Sequence, residues 1–166
     1  MPHTMKKIFI FCLALAALTS CKWKGEAEST PMLFFSHFIH SDSTHTDTLK
    51  IHIPATGICV LDTISPLDTV NFVIDADAVY NILDSLSVSW NHDKMKASFT
   101  IKEEWFITER TDIPNGRFKF QPFYQGVSMP MMYIPLSSGT DTITIFLRTT
   151  TTAYGPTKQT IIQPVR

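Results

Sequence analysis

Five side chains near the front of the chain, His37, His40, Asp42, His45 and His52, are of types that bind transition metals, and His37 and His40 are close enough in sequence to share an ion. Zinc needs three or four such groups converging on one point, and no ligand spacing is visible here. Exposed or hydrogen-bonded imidazoles are therefore the expectation, with no metal and no cofactor. Asp75 and Asp77 offer oxygen ligands of the kind calcium takes, but the loop of alternating acids closed by Gly and a distal Glu is absent. Glu103 and Glu104 are adjacent, so on a strand they would point to opposite faces and could not cooperate as acid and base. Cys59 lies in the apolar run Gly57-Ile58-Cys59-Val60-Leu61, where a thiol acts as a small buried hydrophobe. Neither a nucleophile elbow, a phosphate loop nor a dinucleotide fingerprint occurs, so no catalytic residue is assigned and no enzyme is expected.

The segment Phe123 to Tyr133 is chemically the richest, mixing aromatic rings and flexible methionines with Gly126 and Pro130. Methionines adapt to varied partners, and aromatic faces stack on sugar rings or peptide side chains. Read as interruptions of the strand ladder, Gly126 and Pro130 let Tyr124, Met129, Met131 and Tyr133 project as an exposed ligand-binding surface. The competing reading has Phe123, Met131 and Tyr133 filling the core. Trp105 with Tyr154 forms a weaker second stacking platform.

Ahead of these residues stands a short leader. Lys6 and Lys7 precede the apolar run Ile8 to Leu18, which is too short to span a bilayer and is followed by small Ser20 and then Cys21. Met5 begins a more typical leader than Met1. The stretch Leu18-Thr19-Ser20-Cys21 resembles the lipobox of bacterial lipoproteins. That resemblance implies cleavage of residues 1–20 as a signal peptide, lipidation of Cys21 on sulfur, and acylation of the new amino terminus. Each buried CH₂ contributes about 0.8 kcal/mol, so several acyl chains hold a protein on a membrane nearly permanently. The implied address is the cell envelope, lipid-anchored at the outer membrane, on its periplasmic face or at the cell surface. Residues 21–32 then form a lipidated tether, and 33–166 the folded domain.

With Lys6 and Lys7 removed, 12 basic residues face 15 acidic ones, a net of −3, which excludes nucleic acid as a natural partner. Of the three cysteines, Cys12 leaves with the leader and Cys21 is consumed by lipid, so Cys59 has no partner for an intrachain disulfide. A chain of this length buries a core without such staples.

Positioning these groups falls to strands. Leu49, Ile51 and Ile53 alternate with Lys50 and His52, and the same period of two recurs in Val70-Phe72-Ile74, Leu86-Val88-Trp90, Ala97-Phe99-Ile101, Phe118-Phe120 and Ile143-Ile145-Leu147. Each set is expected to face inward. Ile113-Pro114-Asn115-Gly116 predicts a hairpin between a strand ending near Thr108 and one starting at Arg117. Tyr154-Gly155-Pro156 separates the threonines from Thr149 to Thr152 from a last strand over Thr157 to Ile162, and these two ends should pair. Asp77 to Leu83 reads as a short helical turn or a crossover between strands. Strands and turns at this spacing predict an all-β, antiparallel two-sheet sandwich.

The run Leu61 to Ile74, with its Asp-Thr-Ile and Asp-Thr-Val triplets, followed by Ile82 to Trp90, resembles the front half of the Ig-like domains of small Bacteroidetes lipoproteins. It covers about a quarter of the chain after the leader. The resemblance implies an Ig-like fold and an envelope setting, and it places Trp90 as the core tryptophan of such a sandwich. The inter-sheet cysteines of that fold are missing, and Thr142 stands where its corner tyrosine would begin a strand. The functional expectation is a lipid-anchored, non-catalytic binding module contacting a glycan, a peptide or a neighbouring outer-membrane protein. The alternative is a structural subunit of a surface appendage or envelope assembly.

Overall fold

A computed structural model describes residues 30–151 and 155–166. The leader, Cys21, most of the tether and Tyr154 lie outside the described residues. The strands are β1 (Met32–Ser41), β2 (Thr46–Thr48), β3 (Ile51–Ala55), β4 (Ile58–Leu61), β5 (Thr69–Asp77), β6 (Leu83–Ser89), β7 (Met95–Phe99), β8 (Arg117–Lys119), β9 (Gly126–Pro135), β10 (Gly139–Thr149) and β11 (Thr157–Val165). They form a five-stranded sheet in the order β2-β1-β5-β9-β7 and a six-stranded sheet in the order β3-β4-β11-β10-β6-β8. The runs β1-β5-β9-β7 and β6-β10-β11 reproduce the two four- and three-stranded orders of an Ig sandwich. All neighbours are antiparallel except β4, which runs parallel to β11.

The alternation seen in the sequence is the cause of this packing. Val70, Phe72 and Ile74 from β5 meet Leu86 and Val88 from β6 and Ile143, Ile145 and Leu147 from β10 in one core, each at most 2% exposed. Fully burying a side chain of this size contributes roughly 1.5–3 kcal/mol. β1 shifts its phase at a bulge. Ser36 pairs with Val73 and Ile39 with Asn71, so His37 and Phe38 together face Phe72. His37 adopts φ 58°, which turns its ring to solvent and re-aims Phe38 inward, where it stacks on Phe72 at 4.9 Å.

In place of an inter-sheet disulfide, a buried polar link joins the layers. The Tyr133 hydroxyl of β9 donates to Gln163 Oε1 of β11 at 2.6 Å, and Gln163 Nε2 donates to the Asp62 and Pro164 carbonyls. Every polar atom of the link is matched, as a buried network must be.

Three expectations require correction. Leu49 is buried, but Ile51 and Ile53 are exposed, because β3 is the outermost strand of its sheet and an open groove lies between it and β1. No strand ends near Thr108. Residues between β7 and β8 instead form 3₁₀ turns at Glu103–Trp105, Thr108–Arg110 and Ile113–Asn115. The Asp112 carboxylate accepts from the Asn115 backbone N–H and amide, and Gly116 at φ 63° delivers the chain into β8. Trp90 lies just past β6 and is half-buried rather than enclosed, packed against Phe99 at 5.8 Å and His92 at 4.4 Å.

Two other readings hold. β10 and β11 pair from Gly139↔Val165 to Leu147↔Thr157. The segment after Asp77 is a crossover between the sheets, pinned by the Val79 N–H donating to Asp77 Oδ1 at 2.6 Å.

Candidate functional site

The Met-aromatic surface expected from the sequence does not form. Met129, Met131 and Tyr133 are at most 2% exposed, on the inner face of β9, and Tyr124 is half-buried beside Phe123 and against the core. Gly126 and Pro130 do not interrupt the ladder, since β9 pairs with β5 without a break from Gly126 to Tyr133. The reason is directional. The Pro130 carbonyl accepts from Thr100 N, and N–H and C=O of one strand residue point the same way, so the missing N–H faces the end of β7 and not β5. Burial pushes the Tyr133 hydroxyl pKa above its usual range.

The histidines stay apart. His37 and His52 are exposed, His40 Nε2 lies 2.9 Å from Asp68 Oδ2, and His45 contacts Thr44. Asp42 caps its own turn, accepting from the Thr44 and His45 backbone N–H groups and the Thr44 hydroxyl, which lowers its pKa to about 2. Among the described residues no group of three or more His, Cys, Asp or Glu side chains is placed to hold a metal ion. Glu103 and Glu104 are exposed in a 3₁₀ turn rather than on a strand. Cys59 is buried, which pushes its thiol pKa up.

A different set of residues converges on the outer face of the five-stranded sheet. Phe34 of β1 pairs with Asp75 of β5, and Asp75 with Ser128 of β9. The chain beyond β7 continues alongside β9, tied by the Thr100 N–H to Pro130, and brings Trp105 to the far end of the row. At roughly 4.8 Å per strand, the two aromatic walls stand on the order of 14 Å apart. Between them lies a cleft of about 350 Å³.

Its floor is polar. Ser36 and Ser128 hydroxyls donate to the two oxygens of Asp75 at 2.7 and 2.6 Å. Asp77, two residues on and therefore on the same face, pairs with Gly126, whose missing side chain leaves the floor open. Both carboxylates already serve as hydrogen-bond acceptors. Lys102 places its ammonium 5.3 Å from the Trp105 ring centre. Aromatic walls over carboxylate acceptors suit a ring with one apolar face and several hydroxyls.

The sequence offers Trp105 as one half of a platform with Tyr154, and Asp75 and Asp77 as calcium ligands or as caps of a helical turn. Phe34 was missed. In Met32-Leu33-Phe34-Phe35 both faces of the strand are apolar, so no alternation marks it.

A second feature is an apolar groove of about 320 Å³ between β1 and the edge strand β3, lined by Leu33, Phe34, Phe38, Ile51, Ile53 and Cys59. Among the described residues β3 pairs only with β4, and with a register shift between His52 and Ala55.

No family model matches the chain, and no curated protein matches it. Among solved structures it is similar to domains 4 and 5 of the S-layer protein SbsC, at 13% identity and a TM-score of 0.37. The match covers 82% of this chain and 53% of that one, so the chain spans about half of its length. A likeness this distant carries no information on function.

Proposed function

We propose that this chain is a lipid-anchored, non-catalytic binding module of the bacterial cell envelope, and that its ligand is a glycan. The observation that carries the reading is the cleft in which Phe34 and Trp105 bracket Asp75, Asp77 and Ser128. A sugar ring stacks its C–H face on an aromatic wall while its hydroxyls donate to carboxylates on the floor. Support for the anchor comes from the resemblance of Leu18-Thr19-Ser20-Cys21 to a lipobox, which sets the domain at the outer membrane on either its periplasmic or its exterior side. A glycan array tests the ligand. Wild-type protein retains a subset of neutral oligosaccharides, and Trp105→Ala loses them while still unfolding cooperatively in urea, at a midpoint lowered by no more than that of Trp90→Ala. Equal retention by the variant would dismiss the cleft. Fractionation tests the anchor: wild type expressed in a Gram-negative host partitions with membranes and carries acyl mass on Cys21, whereas Cys21→Ala does not.

The second reading, a subunit of an envelope assembly, is favoured by the groove between β1 and β3, where an edge strand and exposed Ile51 and Ile53 leave room for a partner's strand. Pro54 and the register shift blunt that edge, which ranks this reading second.

A further inference from the structure

The six-stranded sheet carries its own row of outward residues. Lys158 pairs with Phe146, Phe146 with Ser87, and Ser87 with Arg117, so a cation, an aromatic ring, a hydroxyl and a second cation stand side by side across four strands. Lys158 holds its ammonium 5.7 Å from the Phe146 ring centre. Beside the row a cleft of about 390 Å³ opens between Phe146 and Trp90, with Arg117, Asn115 and His92 on its rim.

We propose that this face binds a carboxylated sugar, with the Arg117 guanidinium taking the carboxylate and Phe146 and Trp90 flanking the ring. The cations differ in what they have left to give. Lys119, two residues from Arg117 on the same face, is tied to Asp84, whereas among the described residues no carboxylate lies within 4.0 Å of Arg117. Its planar fork of donors is therefore uncommitted, and that fork matches a planar carboxylate in two parallel hydrogen bonds.

The local backbone is built to bring Arg117 there. Gly116 sits at φ 63°, and a Cβ on it would stand 2.3 Å from the Val88 carbonyl and 2.7 Å from the Trp90 ring. Only glycine lets the turn descend onto β6, and the descent sets Asn115 and Arg117 on either side of the cleft mouth. Asn115 commits its amide N–H to Asp112, which leaves its carbonyl oxygen to accept from a sugar hydroxyl. The proposal stands apart from the cleft of Phe34 and Trp105, which lies on the opposite face.

Titration calorimetry with a short oligogalacturonide, its methyl-esterified uncharged counterpart and inorganic phosphate tests it. Wild type and Trp105→Ala bind the oligogalacturonide alike, and affinity falls as salt is raised. Arg117→Gln loses about tenfold or more, the scale of a hydrogen bond to a charged group, and Phe146→Leu weakens binding without moving the urea midpoint. Equal binding by Arg117→Gln and wild type would overturn the proposal. So would wild type that ignores the oligogalacturonide, that binds the esterified form as well as the acid, or that prefers inorganic phosphate.

Discussion

On the outer face of the five-stranded sheet the row across the strands reads Phe34, Asp75, Ser128 and then Trp105; on the outer face of the six-stranded sheet it reads Lys158, Phe146, Ser87, Arg117. The first has aromatic ends and an acidic middle, the second cationic ends and an aromatic middle. Behind both rows the inward residues are interchangeable in kind, since Ile74, Met129 and Leu86 all serve one apolar layer. The contrast teaches that alternation divides the labour within each strand. One parity holds the fold and is constrained by volume, while the other is free to differ and carries what distinguishes one face from the other.

Removing part of the shared layer should abolish that contrast altogether. Tyr133→Ala empties a fully buried site and strips Gln163 of its partner, so a loss of about 3–5 kcal/mol is expected in urea unfolding. Binding at both clefts should fail together. Retained stability would mean that the two faces do not rest on one core.

Trp90 sharpens the comparison, because it belongs partly to the core and partly to the cationic cleft. Half-buried, it should lose about 2 kcal/mol on Trp90→Ala, below the range for an enclosed aromatic. An unfolding curve shifted as far as that of Tyr133→Ala would place it wholly with the core. Its indole N–H, buried and without an acceptor among the described residues, already lowers its value as a core residue.

Two carboxylates at one end of the sandwich should respond oppositely to pH. Burial raises the carboxyl pKa of Asp141, with Lys94 acting the other way, so the folded state favours the protonated form and stability is lost as pH rises above about 3.8. Asp42, whose pKa is lowered to about 2, contributes stability that is present above 3.8 and is lost as pH falls towards 2. Asp141→Asn should therefore raise the melting temperature at pH 7 and leave it unchanged at pH 3, whereas Asp42→Asn should lower it at pH 7. A parallel response of the two variants would contradict the assigned environments.

The smallest effect belongs to the pair Lys119–Asp84, about a third exposed on each side. Solvent screens such a pair, and Lys119→Met should change stability by no more than about 1 kcal/mol. A larger loss would show that the cationic face contributes to folding as well as display.

The strands at the centre of each sheet were legible because one face of each is buried and the other wet, which is why Val70, Phe72 and Ile74 or Ile143, Ile145 and Leu147 could be read directly. β1 was not, since its apolar residues occupy both faces and its bulge shifts the phase at His37. β9 was misjudged for another reason: Gly126 and Pro130 look like breaks in one dimension, and only the direction of a single N–H decides that they are not. The clefts were illegible as sites. Phe34, Asp75, Ser128 and Trp105 are brought together by register between strands far apart in the chain, and no local pattern encodes register of that kind.

The parallel pairing of β4 with β11 bears on how the chain reaches this state. β11 lies between β4 and β10, so the last of the described strands in chain order fills an interior position of the six-stranded sheet. During synthesis at roughly 5–20 residues per second, β4 waits with an open edge until every intervening strand has emerged. Contacts so distant in sequence form slowly. The cost appears at high local concentration, where the late strand of one molecule can complete the sheet of its neighbour and leave a swapped dimer.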